Sequence, residues 1–266
     1  MAGACPAYIS IPRYNDKVKI IIDTAVRNLT TVDGDVQHTC DLYSQEAFDT
    51  VSLQFVRMGW SLGYYNNFSW MGLPVLQLPE DLVRLQEVIY RVRPDVIVET
   101  GVFRGGSLMF HATLCQALSK GRVIGIDNQI DKMVRDNITK HVLAPRITLV
   151  EGDSTSREVV STVSQMIRPG ESVLVILDSC HTKEHVQHEL ECYSRLVTPG
   201  SYIIAADGIM ADLVDVPGGQ PDWRSDNPLA AADEFVTRHP EFRREQRAQL
   251  SAKVTYWPGA WLERVA

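Results

Sequence analysis

Five acids stand where five apolar runs end: Glu99 after V-I-V, Asp127 after R-V-I-G-I, Asp153 just past I-T-L-V-E-G, Asp178 after S-V-L-V-I-L and Asp207 after S-Y-I-I-A-A. If those runs are strands of one parallel sheet, their carboxylates gather at one rim. A single acid after a strand is as well explained as a helix N-cap. Several together raise each other's pKa, and so call for a cationic or polyhydroxyl partner. Asp178 and Asp207 suit a hard divalent cation such as Mg²⁺, which accepts one or two carboxylates beside water and substrate oxygens. Such a cation lowers the pKa of a substrate hydroxyl and holds it in line for reaction. His181, three residues past Asp178, is the best-placed general base. His181 to His185 also spells H-x-x-E-H, a zinc-peptidase pattern. Its first histidine falls in the loop before a helix, so the i, i+4 geometry is not expected. His185 and His188 read as surface or packing residues, and His111 as a histidine satisfied within the fold.

A second constellation is V-I-V-E-T-G-V-F-R-G-G-S, Val96 to Ser107. Gly101, Gly105 and Gly106 permit a tight turn and close backbone approach, and Ser107 opens a helix. The turn, from Glu99 and Thr100 through Gly105 to Ser107, aims backbone N–H groups and a helix dipole at a nucleotide-like or carboxylate-bearing ligand. Asp127, closing the second strand, is placed to accept both ribose hydroxyls of an adenosine. Asp153 and Ser154 lie near the expected adenine edge.

These residues need a scaffold. Val96–Glu99, Arg122–Ile126, Ile147–Val150, Ser172–Leu177 and Ser201–Ala206 lack polar alternation, as strands buried on both faces do. Helical patterns near 131–140, 155–167 and 183–195 separate them, so the connections are βαβ crossovers. The fold class is α/β: a Rossmann-like, mostly parallel sheet with helices on both faces. From Phe242 to the end an antiparallel hairpin closes it. Residues 1–80 read as an N-terminal helical and aromatic cap, and 81–266 as the ligand-binding domain. In the cap, Asn15 to Asn28 reads as a helix burying Val18, Ile21, Ile22 and Val26, and Tyr43 to Gly59 as a second. Pro79 starts a helix ending before Pro94. Trp60, Tyr64, Tyr65, Phe68 and Trp70 either line a pocket, seat the cap or form a subunit interface, so a homo-oligomer is expected. The segment from Gly208 to Pro228, rich in glycine, proline and aspartate with Trp223 inside it, is either a substrate loop or a plain surface loop.

Composition narrows the partners. A net charge of −7, from 26 Lys plus Arg against 33 Asp plus Glu, disfavours a grip on nucleic acid. No apolar run approaches the roughly 18 residues of a membrane span, and the first residues lack a signal-peptide plan. The 5 cysteines have no C-x-x-C spacing, which fits reduced thiols in a cytoplasmic enzyme acting on a small molecule.

The glycine-turn spacing, E-x-G-x-x-x-G-x-S, resembles that of class I S-adenosylmethionine (SAM) methyltransferases. V-E-T-G-V-F-R-G-G-S, V-L-V-I-L-D-S-C-H-T-K-E-H-V, Y-S-R-L-V-T-P-G-S-Y-I-I-A-A-D and N-P-L-A-A-A-D-E-F-V-T-R-H-P-E-F resemble the cephalosporin hydroxylase and rhamnosyl O-methyltransferase family, over about residues 68–264. The resemblance implies the SAM-methyltransferase fold and methylation of a hydroxyl on a deoxysugar or other natural product, with Mg²⁺ in the site. It implies Glu99, Gly101, Ser107, Asp127, Asp153 and Ser154 for SAM, Asp178 and Asp207 for metal, and Asp178 also beside the donor. Where the family commonly carries Glu-Asp after the fifth strand, this chain has Ala206-Asp207. The alternatives are therefore a metal-independent route with His181 as base, or a SAM-binding module without catalysis.

Overall fold

The computed structural model describes residues 18–245 and 253–266. The expectations about the chain's first residues, and the start of the helix at Asn15, lie outside them. Chain order is β1 (Lys19–Asp23), β2 (Asn28–Asp33), β3 (Val36–Asp41), α1 (Gln45–Ser61), β4 (Ser69–Trp70), β5 (Leu73–Pro74), α2 (Pro79–Val92), β6 (Val96–Thr100) and α3 (Gly106–Ala117). It continues with β7 (Arg122–Asp127), α4 (Lys132–Lys140), β8 (Ile147–Glu151), α5 (Arg157–Met166), β9 (Val173–Leu177), α6 (Lys183–Tyr193), β10 (Tyr202–Ala205), α7 (Pro228–Arg238), β11 (Phe242–Arg244) and β12 (Trp261–Arg264).

The central sheet runs β11-β12-β10-β9-β6-β7-β8. The five strands expected to be parallel are parallel, and β12 joins β10 antiparallel with β11 outside it. Every residue of β6 and β9 is buried. Leu85 and Ile89 of α2 with Leu108 and Met109 of α3 cover one face. Val163 of α5, Leu190 of α6 and Phe235 of α7 cover the other. The Rossmann-like architecture read from the sequence is therefore the one observed. From β6 the chain winds outward to β7 and β8, then returns to lay β9 on the opposite side of β6. The carboxyl ends of β6 and β9 thus flank the switch point, where open α/β sheets bind ligands.

The first expected helix is not one. Ile21 and Ile22 sit in β1, paired antiparallel with β2 and 40% and 50% exposed. Ile20, Ile21 and Ile22 are β-branched, which favours extended backbone. Asp33-Gly34, with Gly34 at φ +57°, closes the β2–β3 hairpin and supplies β1 with an edge to pair against. The second expected helix is α1, begun by the Ser44 side chain accepting from Ala47 N–H at 3.2 Å. Trp60, Tyr64, Tyr65, Phe68 and Trp70 pack half-buried on the main core, so they seat the N-terminal segment. The self-association expectation loses the exposed rings it was argued from. Cys40, Cys115, Cys180 and Cys192 are free thiols. Among the described residues no helix is long and apolar enough to cross a membrane.

One buried acid ties the chain's last segment to α2. Asp81, 1% exposed, accepts from the Thr255 hydroxyl and from Tyr256 N–H at 2.8 Å. Burial pushes its pKa up to about 7. The unfolded carboxyl, with its ordinary value of 3.8, loses its proton first as pH rises, so stability falls between about pH 4 and 7 and levels off above. Denaturant titrations at pH 5 and pH 8 should show greater stability at pH 5, and Asp81→Asn should shrink that difference. Asp81→Ala, which strands two buried donors, should cost roughly 2–4 kcal/mol.

Candidate active site

Above the switch point lies a cavity of about 890 Å³. Its floor is the glycine turn. Gly101 has φ +94°, and a Cβ there would fall 2.0 Å from the carbonyl oxygen of Asp178, so only glycine lets β6 and β9 approach at this point. Gly105, at φ +80°, ends the turn, and no side chain caps the α3 N-terminus. The first N–H groups of α3 are therefore available to a ligand. Asp127 clamps the turn: its Oδ2 accepts from Val102 N–H at 2.9 Å and Phe103 N–H at 3.0 Å. Asp153 Oδ1 accepts the N–H and hydroxyl of Thr155, both at 2.8 Å, and these bonds hold its pKa below the usual carboxylate value.

Beside the glycine turn Asp178, His181 and Asp207 converge, one ligand-type atom of each within 4.8 Å of the others. His181 Nε2 lies 3.5 Å from Asp207 Oδ2, both side chains about a third exposed to the cavity (33% and 34%). Burial, then the charge of Asp207, then that of Glu99, push the Asp178 carboxyl well above its ordinary pKa. Burial also raises Asp207, opposed by His181 and by a hydrogen bond from Trp257. Asp207 holds this place with a left-handed backbone, φ +58°, unusual for a residue with a side chain. Two crowded carboxylates beside an imidazole make a donor set that a hard divalent cation would relieve. They equally make a hydrogen-bonded acid and base.

Gly101, Gly105, Ser107, Asp127, Asp153, Ser154, Asp178, His181 and Asp207 all line this one cavity. Glu99 and Thr100 do not reach its wall. Glu99 is fully buried on the α3 side of the sheet, 3.4 Å from His111 Nε2, so it acts on the cavity through its charge on Asp178 rather than by touching a ligand. Thr100 serves the scaffold, its carbonyl accepting from Asp178 N–H at 3.0 Å. His111 is buried as expected, but neither ring nitrogen has a hydrogen-bond partner. His181 precedes α6, whose N-cap is Thr182, so the H-x-x-E-H pair shares no helix face.

Other wall residues carry no signal in the sequence. Gln77 donates to Asp178 Oδ2 at 3.3 Å, and His185, read as surface or packing, reaches the cavity. Both depend on tertiary placement that no spacing announces. Trp60 meets Trp223 edge to face at 5.5 Å, and Arg57 pairs with Asp215 at 2.5 Å, so the 208–228 segment is docked on α1 and forms part of the cavity wall.

Comparison with known proteins adds to this geometry. The family model described as Rhamnosyl O-methyltransferase/CmcI matches residues 62–265. A rhamnosyl O-methyltransferase of Mycobacterium tuberculosis is 25% identical over 213 residues, 76% of this chain and 82% of that protein. One of Mycobacterium leprae is 27% identical over 155 residues, 54% of this chain and 64% of that protein, so the match spans a little under two thirds of that relative. A CmcI structure with magnesium and SAM superposes with a TM-score of 0.52 at 22% identity, over 76% of this chain and 78% of that one. A putative caffeoyl-CoA O-methyltransferase from Staphylococcus aureus gives 0.51 at 12%, over 76% and 92%. At such identities the two structures speak for the fold.

The close approach of Gly101 to Asp178 gives a direct test. Gly101→Ala should lower stability by roughly 3 kcal/mol or more, since a left-handed residue with a Cβ also meets backbone. Gly170→Ala has a similar φ of +87° but nothing within 4 Å of the added carbon, and should lose only about 1–2 kcal/mol. Denaturant midpoints of the two variants check this.

Proposed function

The chain belongs to the rhamnosyl O-methyltransferase/CmcI family, and on that premise we propose that it transfers the methyl group of SAM to a hydroxyl of a small molecule. The observation that carries the reading is the meeting of Asp178, His181 and Asp207 in one cavity with a glycine turn backed by a helix N-terminus.

The donor's parts have matching partners. The uncapped α3 N-terminus, with Gly101, Gly105 and Ser107, suits the carboxylate of the methionine half. Asp127 faces the ribose, with lone pairs beyond those that hold the turn, and Asp153 with Ser154 faces the adenine. The acceptor lies toward Trp60, Tyr65, Trp223 and Tyr256, whose flat walls suit a hydroxylated ring, a deoxysugar or another natural-product scaffold.

Asp178 and Asp207 would hold a divalent cation, with His181 beside them. Such a cation supplies positive charge that acidifies and orients the acceptor hydroxyl. His181 takes the hydroxyl proton at Nδ1, and Asp207, 3.5 Å from the other ring nitrogen Nε2, orients the ring and stabilises its charged form. The hydroxyl oxygen forms the new bond to the methyl carbon as the carbon–sulfur bond breaks, so the sulfonium leaves as a neutral thioether. The cavity walls hold the two reactants in line.

Ala206 favours a second reading. It is fully buried and brings no carboxylate, whereas the His181–Asp207 pair needs no cation to act as a base. Calorimetry should detect SAM binding to the purified protein. Methyl transfer to a panel of glycosylated and free hydroxylated metabolites should stop with EDTA and return with Mg²⁺. Transfer that persists in EDTA but is lost in His181→Ala would select the cation-free route, and binding without transfer the non-catalytic module. Asp178→Ala should lose roughly 100-fold or more in kcat, with SAM affinity within about tenfold. Full activity in that variant would remove Asp178 from the chemistry.

A further inference from the structure

α6 presents His185, Glu189 and Tyr193, four residues apart along one stripe, to the turn after β8. Glu189 is fully buried. Its Oε1 accepts from the Ser154 hydroxyl at 2.6 Å and the Ser179 hydroxyl at 2.7 Å. His185 Nε2 stands 3.4 Å from the same oxygen and 3.2 Å from each serine hydroxyl. Tyr193, also buried, donates to the Ser154 carbonyl at 2.7 Å.

One carboxylate oxygen thus joins the turn after β8 to the turn after β9, although β6 and β7 lie between those strands in the sheet. Burying a carboxylate is costly unless its bonds are made, and bonds made in a low-dielectric interior are strong and geometrically exacting. Ser154 is held by both hydroxyl and carbonyl. Its remaining donor is the backbone N–H, which suits an acceptor nitrogen of a purine. His185 is the member of the stripe that reaches the cavity. We infer that Glu189 is a positioning residue for the purine end of the donor, fixing Ser154 and Ser179, and that His185 contacts that end.

The inference rests on the donor reading above. Calorimetry with S-adenosylhomocysteine and with 5′-methylthioadenosine, which keeps purine and ribose but lacks the amino-acid end, separates the two. In Glu189→Ala both affinities should fall together, by roughly tenfold to a hundredfold, and the donor's KM should rise more than kcat falls. If that variant does not fold, Ser179→Ala and Tyr193→Phe each remove one bond and should shift the same affinities in the same direction. Wild-type affinity in the folded variants, or a loss confined to S-adenosylhomocysteine, would overturn the role of Glu189 and leave the donor reading intact. Failure of the wild-type protein to bind either compound would overturn the donor reading itself.

Discussion

Parallel pairing of β9 with β10 brings Asp178 and Asp207 to one rim of the cavity, where both are partly out of water. Burial opposes ionisation of both, and at Asp178 the charges of Asp207 and Glu99 add to it. The rest of the site answers that tension. Gln77 donates to Asp178, Trp257 and His181 favour charge on Asp207, and the left-handed backbone at Asp207 keeps its side chain facing the pair. Such a site holds more electrostatic strain than the fold requires, which is the arrangement expected where chemistry is done.

Other acids near the rim are settled by the chain itself. Asp127 binds the glycine turn, Asp153 its own loop, Glu189 two serines, and Asp81 the segment running into Tyr256 and Trp257. They are structural in the first instance, and they stiffen the frame around the two acids that are not settled. Stability and site geometry are therefore coupled: Asp81 lies in α2, yet the backbone it fixes carries the Trp257 that hydrogen-bonds Asp207.

The alternation of apolar runs and helical periods was legible from Val96 onward because strands buried on both faces carry no polar interruption, as in V-L-V-I-L. The acids were legible as a set because each ends such a run. Asn15 to Asn28 reads as a helix because three apolar residues in a row fit either period, and the β-branched bias of Ile20 to Ile22 with the Asp33-Gly34 turn decides for a strand. Glu99 could not be assigned from position alone. Consecutive strand residues face opposite sides, and whether its side faced the cavity or α3 depended on how α3 packs. Gln77 and His185 enter the site from outside the strand ends, and Glu189 supports it from beneath, through contacts spanning 101, 31 and 35 residues of sequence.

The two halves of the cavity are made of different material, and this sets what can vary. The part proposed for the donor is chiefly backbone: left-handed glycines, the first turn of α3 and a carboxylate clamping two N–H groups. Little can be changed there: a Cβ at Gly101 meets the backbone of Asp178, and loss of the Asp127 carboxylate frees the turn. The part proposed for the acceptor is built from side chains, with Trp60 and Trp223 locked edge to face between α1 and the 208–228 segment. A single replacement there reshapes the wall without touching the sheet. Selectivity for the acceptor can therefore shift by substitutions in those two segments while the donor end stays as it is, since no strand residue has to move.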